Sequence, residues 1–312
     1  MHRRHAVGPK AGATTAVPSA EGDEEEDGPG GETRDAATFV RLGFIGCGSM
    51  AEAMAFGFVA GGATSFDAVA VSASSDEARA RRWRDAGARI CASNAEVLRR
   101  ADVVFLAVKP HVLPGVLAEV GGAAEDRHVF VSVAAGVSTA FIEAAIVTAG
   151  GPPSGEPKVV RVMPNTPCLV GASASAACAG ANAGAEDLER VTGLMSSAGL
   201  CLTVEERLFD AVTGVSGSGP AYVFQFIEAM ADGGVAAGLS RSDAQQLAAQ
   251  TVLGAAKMVL ETGDHPGLLK DKVCSPGGTT IRAVHALEAG GMRAAVMDAV
   301  LASAGRAAEL GK

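Results

Sequence analysis

Aromatic residues are scarce in this chain: one Trp, one Tyr and eleven Phe make up 4% of 312 residues. An interior must therefore be filled by Ala, Val and Leu, which favours α/β layers with closely packed helices. The six cysteines (Cys47, Cys91, Cys168, Cys178, Cys201, Cys274) form no CxxC pair and no zinc spacing. That excludes a zinc module and, in a chain this long, a disulfide framework; reduced thiols in a reducing compartment are expected. Positive charge is in deficit, with 26 Lys and Arg against 35 Asp and Glu and a net charge of −9, so a nucleic-acid partner is not indicated. No membrane span is present, because long uncharged runs such as 164–185 carry Asn, Pro and Ser. No Ser/His/Asp arrangement, paired carboxylates or metal cluster stands out. His111, His128, His265 and His285 share no spacing and read as surface or capping residues. What remains is chemistry that needs orientation and a bound cofactor rather than acid–base machinery. Material for a core is ample, at 48% hydrophobic and 20% charged residues, and the length suggests about two domains.

The most informative stretch is Phe39-Val-Arg-Leu-Gly-Phe-Ile-Gly-Cys-Gly-Ser-Met-Ala51. Val40, Leu42, Phe44 and Ile45 make a run long enough for one buried strand and too short for a helix. It stops at Gly46-Cys47-Gly48, and a helical pattern of small residues follows (Ala51, Ala53, Met54, Ala55, Phe58). Strand, tight Gly turn and helix, with Ala51 in the third small position, is the context of a dinucleotide fingerprint. A pyrophosphate would rest on the helix N-terminus, where free N–H groups and the dipole favour an anion. Gly43, Phe44, Ile45, Gly46, Cys47, Gly48, Ser49 and Met50 are accordingly the first candidate cofactor contacts.

Residues 1–38 differ from the rest: they lack apolar periodicity and contain the acidic run Glu21-Gly-Asp-Glu-Glu-Glu-Asp27. Such a segment cannot bury enough surface to offset its ordering entropy, so a disordered tail is expected. Arg3, Arg4 and Lys10 raise the question of a targeting peptide, but the acidic run counts against one. From Phe39 the period alternates. Runs at 67–71, 102–108 and 129–134 read as buried strands, with helices at 76–86, 94–100 and 137–148 between them. This predicts a parallel, doubly wound sheet, extended by strands at 158–163 and 200–204 and a helix at 185–197. From about Glu206 everything reads helical. The stretches 220–238 and 245–260 are apolar nearly all round and must be buried on all faces. A segment of this size cannot enclose two such helices alone, so an obligate homodimer with interlaced C-terminal helices is expected. The division is a tail at 1–38, a nucleotide-binding domain at 39–205 and a helical domain at 206–312.

Several strand ends carry candidate chemistry. Ser72-Ala-Ser-Ser75 ends the second strand, with Arg79, Arg81 and Arg82 following. Hydroxyls and cations there suit a 2′-phosphate and favour NADPH, while Asp76 leaves room for NADH; the three arginines equally suit the solvated face of a helix. Val104-Phe-Leu-Ala-Val-Lys-Pro-His111 puts Lys109 at a strand end, where it would contact cofactor or substrate. Val131-Ser-Val-Ala-Ala-Gly136 offers small residues against which a nicotinamide could lie flat. In Arg161-Val-Met-Pro-Asn-Thr-Pro167 two prolines fix a loop around Asn165 and Thr166. In the helical half, Val273-Cys-Ser-Pro-Gly-Gly-Thr-Thr-Ile281 reads as an anion cradle suited to a carboxylate. Ser275 fits an N-cap and Pro276 the first helical turn; Gly277 and Gly278 expose N–H groups, and Thr279 and Thr280 add hydroxyls.

These segments, together with Asp210-Ala-Val-Thr-Gly-Val-Ser-Gly-Ser-Gly-Pro-Ala-Tyr222, Ala231-Asp-Gly-Gly-Val-Ala-Ala-Gly-Leu239 and Leu269-Lys-Asp-Lys-Val-Cys-Ser-Pro-Gly-Gly-Thr-Thr-Ile281, resemble Δ1-pyrroline-5-carboxylate reductase from about residue 39 onward. The likeness is nearest to animal forms of the shorter cytosolic type. It implies a Rossmann domain, a helical dimerisation domain, and NAD(P)H-dependent reduction of the cyclic imine to L-proline in the cytoplasm. Interlaced dimers, frequently gathered into a decamer, are implied as well. Carried over by motif, Ser75, Asn94, Ala107, Val108, Lys109, Pro110, Val133, Ala134 and Ala135 match cofactor contacts. Glu206, Thr279 and Thr280 match substrate-binding positions, with Thr280 orienting the ring nitrogen. Lys272 falls on a cofactor contact that is often Asn in the family, and Cys47 stands where many members have Ala. The same two-part layout would suit a broader imine reductase or a β-hydroxyacid dehydrogenase. The latter would need a proton-transfer Lys on a helix, whereas Lys109 follows a strand. A non-catalytic nucleotide sensor would keep the fold without turnover; Thr280, Glu206 and the intact Gly loops speak against it.

Overall fold

The computed structural model describes residues 40–73 and 76–310. The expected tail at 1–38 lies outside the described residues, as do Phe39 and Ser75.

Eight strands form one sheet in the order β3-β2-β1-β4-β5-β6-β7-β8. They are β1 (Leu42–Ile45), β2 (Val69–Ser72), β3 (Arg89–Cys91), β4 (Val103–Leu106), β5 (Val129–Ser132), β6 (Lys158–Met163), β7 (Ser173–Ala179) and β8 (Gly199–Thr203). Helices α1 (Ser49–Ala60), α2 (Glu77–Asp85), α3 (Asn94–Arg100), α4 (Leu113–Gly121), α5 (Thr139–Thr148) and α6 (Ala185–Ser196) cover its two faces. The strands alternate strictly. Phe44, Phe105, Val131 and Val160 face the α1 and α6 layer, while Ile45, Val104, Phe130 and Val159 face α3, α4 and α5. The few aromatics concentrate in the first layer: Phe44 stacks on Phe105 at 4.9 Å between centroids, beside the fully buried Trp83.

The sheet departs from the expected all-parallel form. β1 to β6 are parallel, but β7 runs antiparallel to β6, and β8 is parallel to β7. The link between β6 and β7 is a single short 3-10 turn (Thr166–Val170), and a parallel return would need a longer crossover. The reversal fixes where the helical half begins. Thr203 pairs with Ala177 and Ala177 with Val162, so the chain leaves the sheet beside the carboxyl end of β6.

Beyond β8 the chain is helical: α7 (Phe209–Val212) runs into a π-helical turn (Thr213–Gly217), then α8 (Gly219–Ala236), α9 (Arg241–Thr262), α10 (Pro266–Lys272), α11 (Thr279–Ala289) and α12 (Met292–Leu310). Helices α8 and α9 pair with each other, and α12 packs on α7 and the π turn. A Cβ on Gly214 would lie 2.6 Å from the Val300 carbonyl, so only Gly allows this approach. After α7 few apolar side chains are buried, chiefly Ala231, Ala244, Ala248 and Ala307. Large ones stand in the open, Phe224 at 62% and Leu260 at 77% exposure. Exposed apolar area on this scale marks an association surface.

Candidate active site

The sheet order turns back between β1 and β4, and the carboxyl ends of these strands open a crevice there, as expected of a doubly wound fold. Gly46 makes the turn with φ +96°, its N–H donates to Ser72 Oγ at 2.8 Å, and a Cβ on it would lie 2.6 Å from the Ala107 carbonyl. An L side chain fits neither the angle nor the space. Gly48 is the N-cap of α1 and has no side chain to satisfy the first N–H groups, which are left for an anion. Trp83 donates its indole N–H to the Cys47 carbonyl at 3.4 Å and so ties α2 to this turn. A cleft of about 420 Å³ continues from it, lined by Ile45, Gly46, Ser72, Ala73, Asn94 and Val108. Asn94 donates its amide to Glu119 Oε2 across the same cleft.

The other expected contacts divide. Cys47, Met50, Ala107, Pro110, Val133 and Ala135 are half-buried on the crevice side of β1, β4 and β5, and Ala134 is buried beside them. Ser49 and Lys109 are at the lip, and the Lys109 carbonyl accepts the Val112 N–H. Gly43 and Phe44 are corrected from contacts to wall. A Cβ on Gly43 would lie 2.7 Å from Val97 Cγ1, because α3 packs directly on β1, and Phe44 is wholly buried against Phe105. Asn165 is likewise turned inward. Its Oδ1 accepts from Ser173 Oγ and the Ala174 N–H, and its Nδ2 donates to the Ser216 carbonyl, tying β7 to the π turn. Lys272 forms an ion pair with Asp264 at 2.6 Å.

Glu206 is committed within its own chain. It accepts from the Thr139 N–H and hydroxyl, both at 2.8 Å, and from Arg161 Nη1 at 3.1 Å. Arg161 is 6% exposed and lies 4.6 Å from the centroid of the Phe209 ring. The set latches the start of the helical half onto β6 and α5. Three donors thus already meet the carboxylate that was expected to contact substrate, so its recorded bonds give Glu206 a structural role.

The helix behind the Ser275–Thr280 loop starts later than expected. Gly278, not Ser275, is the N-cap of α11. Gly277 has φ +68° and the Gly278 N–H donates to the Ser275 carbonyl at 3.1 Å. Pro276 followed by a left-handed Gly makes this a type II turn. Thr279 and Thr280 therefore occupy the first turn of α11, whose N–H groups have no side-chain cap. Among the described residues no hydrogen bond or ion pair joins 263–289 to the sheet half.

Of the expected capping histidines, His265 caps α10 by accepting the Gly267 N–H. His128 is buried instead, its Nδ1 accepting the Glu125 N–H, and burial lowers its pKa. The six cysteines are free, and burial pushes the Cys168 and Cys178 thiols up to about 11. No group of His, Cys, Asp and Glu suited to a metal occurs among the described residues, and no described helix is long and apolar enough to cross a membrane.

Residues 206–310 match the family model for pyrroline-5-carboxylate reductase dimerisation, and residues 41–136 match that for NADP oxidoreductase coenzyme F420-dependent proteins. The chain is 48% identical to pyrroline-5-carboxylate reductase 2 of Homo sapiens, over 86% of its own length and 83% of the relative. It is 46% identical to pyrroline-5-carboxylate reductase of Arabidopsis thaliana, over 86% and 95%. Among solved structures it resembles the Plasmodium falciparum pyrroline carboxylate reductase with NADP bound (31% identity, TM-score 0.77, covering 88% of this chain and 98% of that one). The Coxiella burnetii enzyme is similar at 34% identity and TM-score 0.78, covering 88% and 99%.

Proposed function

The chain belongs to the pyrroline-5-carboxylate reductase family, and we propose that it reduces Δ1-pyrroline-5-carboxylate to L-proline with NADPH, the last step of proline biosynthesis. The observation that carries the reading is the pairing, in one chain, of two uncapped helix N-termini of distinct use: α1 behind Gly46-Cys47-Gly48 and α11 behind Gly277-Gly278. The cleft fits a nicotinamide dinucleotide. Its turn leaves no room for a side chain at Gly46, Gly48 leaves the helix terminus open, and a buried guanidinium nitrogen of Arg79 has no hydrogen-bond partner beside it.

When bound, the reduced nicotinamide supplies a hydride for the ring carbon of the cyclic iminium. The chain's own residues bind and orient. The first N–H groups of α1 hold the pyrophosphate, Asn94 and Val108 line the adenosine side, and Val133, Ala134 and Ala135 give the nicotinamide a flat wall. Lys109, at the lip, closes the approach to that wall. The N–H groups following Gly277 and the Thr279 hydroxyl hold the substrate carboxylate. The Thr280 hydroxyl accepts the iminium N–H and so fixes which ring carbon faces the cofactor. Because the imine arrives protonated, no side chain must move a proton in this step.

We further propose that the domain boundary lies at 205/206, that two chains interlace through α8 and α9, and that each site takes its nucleotide half from one chain and its Ser275–Thr280 loop from the other. The exposed Phe224, Leu247, Leu253 and Leu260 support this arrangement; further assembly of dimers to a decamer is read by sedimentation. The six free thiols support a cytoplasmic location. The direct test follows NADPH oxidation on addition of Δ1-pyrroline-5-carboxylate and identifies L-proline as product. Purified dimer that gives no substrate-dependent oxidation with either dinucleotide rules the function out.

A further inference from the structure

The arginines of α2 have different fates. Arg82 is spent on Glu52 of α1, with Nη2 donating to both carboxylate oxygens at 3.0 Å. Arg81 is exposed, and Arg84 pairs with Glu77. Arg79 lies on the same face as Trp83, one turn earlier, and that face is fixed to the fingerprint turn by the buried indole. Its Nη1 therefore stands 3.5 Å from the place a methyl group on Gly48 would take. Its Nε is buried without a hydrogen-bond partner, 3.7 Å from Asp76 Oδ2. A guanidinium N–H left without an acceptor is costly unless something else fills the space beside it.

We propose that Arg79 is the residue by which this chain selects NADPH over NADH, by binding the 2′-phosphate. The inference rests on the dinucleotide reading of the cleft. In this fold the adenosine ribose lies beyond the carboxyl end of β2, where an acidic residue takes a 2′-hydroxyl and an arginine a 2′-phosphate. Here β2 ends in Ser72, whose Oγ accepts the Gly46 N–H. The next acid, Asp76, is turned onto its own helix, accepting the Arg79 N–H at 3.1 Å and lying beside the Arg79 guanidinium. Both residues already accept from a backbone N–H, while Arg79 turns Nη1 toward the Gly48 position and keeps a buried Nε without a hydrogen-bond acceptor. The pyrophosphate already has the α1 terminus, so the 2′-phosphate is the anion left for Arg79.

The test measures binding of NADP+ and NAD+ to the full chain by titration calorimetry, for the parent, Arg79→Met, Arg79→Lys and Arg82→Met. Trp83, the single tryptophan, reports by its emission that α2 remains packed. Arg79→Met is expected to weaken NADP+ by about tenfold or more, the worth of a charge-assisted bond, and to leave NAD+ within about twofold. Arg79→Lys should fall between, because a point charge replaces a fork, and Arg82→Met should bind both as the parent does. Equal loss of both dinucleotides in Arg79→Met would assign the guanidinium to the pyrophosphate and overturn the proposal, as would no loss of either. A parent that binds neither dinucleotide would remove the cofactor reading itself, a failure separate from that of Arg79.

Discussion

Replacing Glu206 by Gln separates two roles that sequence alone merges. The carboxylate holds three donors, and one of them, Arg161, has its side chain 7% exposed while that of Glu206 is 31% exposed. Gln keeps an acceptor for Thr139 but leaves the guanidinium buried without a counter-charge. Breaking a fully buried pair from one side costs about 3–5 kcal/mol. Water can reach the Glu206 side, and the Phe209 ring still stabilises the cation, so a loss of about 2–3 kcal/mol is expected. Urea unfolding at fixed protein concentration reads this as a lower midpoint with unchanged slope. The double variant Glu206→Gln/Arg161→Met removes both charges and should recover about half of the loss or more. In the single variant, kcat/KM well below the melting temperature should stay within about threefold of the parent if Glu206 serves as a latch and not as a substrate ligand. Undiminished stability together with a raised KM for the imine would refute the latch and return Glu206 to the substrate.

Three further outcomes are expected. Thr280→Ala should lower kcat/KM by the equivalent of about 1.5–3 kcal/mol, the range for a hydrogen bond to a charged group, and an unchanged value would remove Thr280 from the site. Co-expressing Gly48→Trp with a Thr279→Ala/Thr280→Ala chain should restore roughly a quarter of parental activity per site, since about half the dimers are hybrids with one intact site each. Tagged hybrids that stay at background would place each site within one chain. Asp102 is held below the ordinary carboxyl value of 3.8, first by its hydrogen bond from Arg41 and then against some desolvation. Its contribution is therefore present above pH 3.8 and lost as pH falls through the lowered folded-state value. Asp102→Asn should melt earlier than the parent at neutral pH, and the difference should close as acid protonates Asp102 in the folded protein; a gap that persists once Asp102 is protonated in the folded protein would show that the pair is not its source.

Much of the sheet half can be read from the chain because its central strands are short, mostly apolar and bounded by turn residues. β6 coincides with its expected span, and α3 does too, since Ser93 caps it and Arg99 and Arg100 close it. Three elements are opaque at that level. β3 is three residues with a charge at its start, and α4 opens on Leu-Pro-Gly. β7, Ser-Ala-Ser-Ala-Ala-Cys-Ala, lacks the branched residues that signal a strand and is held by its neighbours instead. At the site, Gly46 and Gly277 are legible because each turn demands a left-handed backbone angle there. The inward commitments of Asn165 and Glu206 are not, because their partners lie far along the chain, at Ser216 and Thr139. The face shared by Arg79 and Trp83 could have been found from their spacing.

The helical half buries little beyond small alanines and leaves its leucines and phenylalanines outside. A sheet half of this kind has its interior whether or not another chain is near; on the proposed pairing the helical half acquires one only by meeting a second copy. On that pairing its folding is a second-order process, and the fraction of chains with an ordered Ser275–Thr280 loop should depend on how much protein is made. Dilution should act on this protein as heat does, dissolving the substrate side while the nucleotide side persists. A variant that pairs normally but carries a ruined loop would withdraw intact partners from use, so its harm in a mixed population should exceed its share.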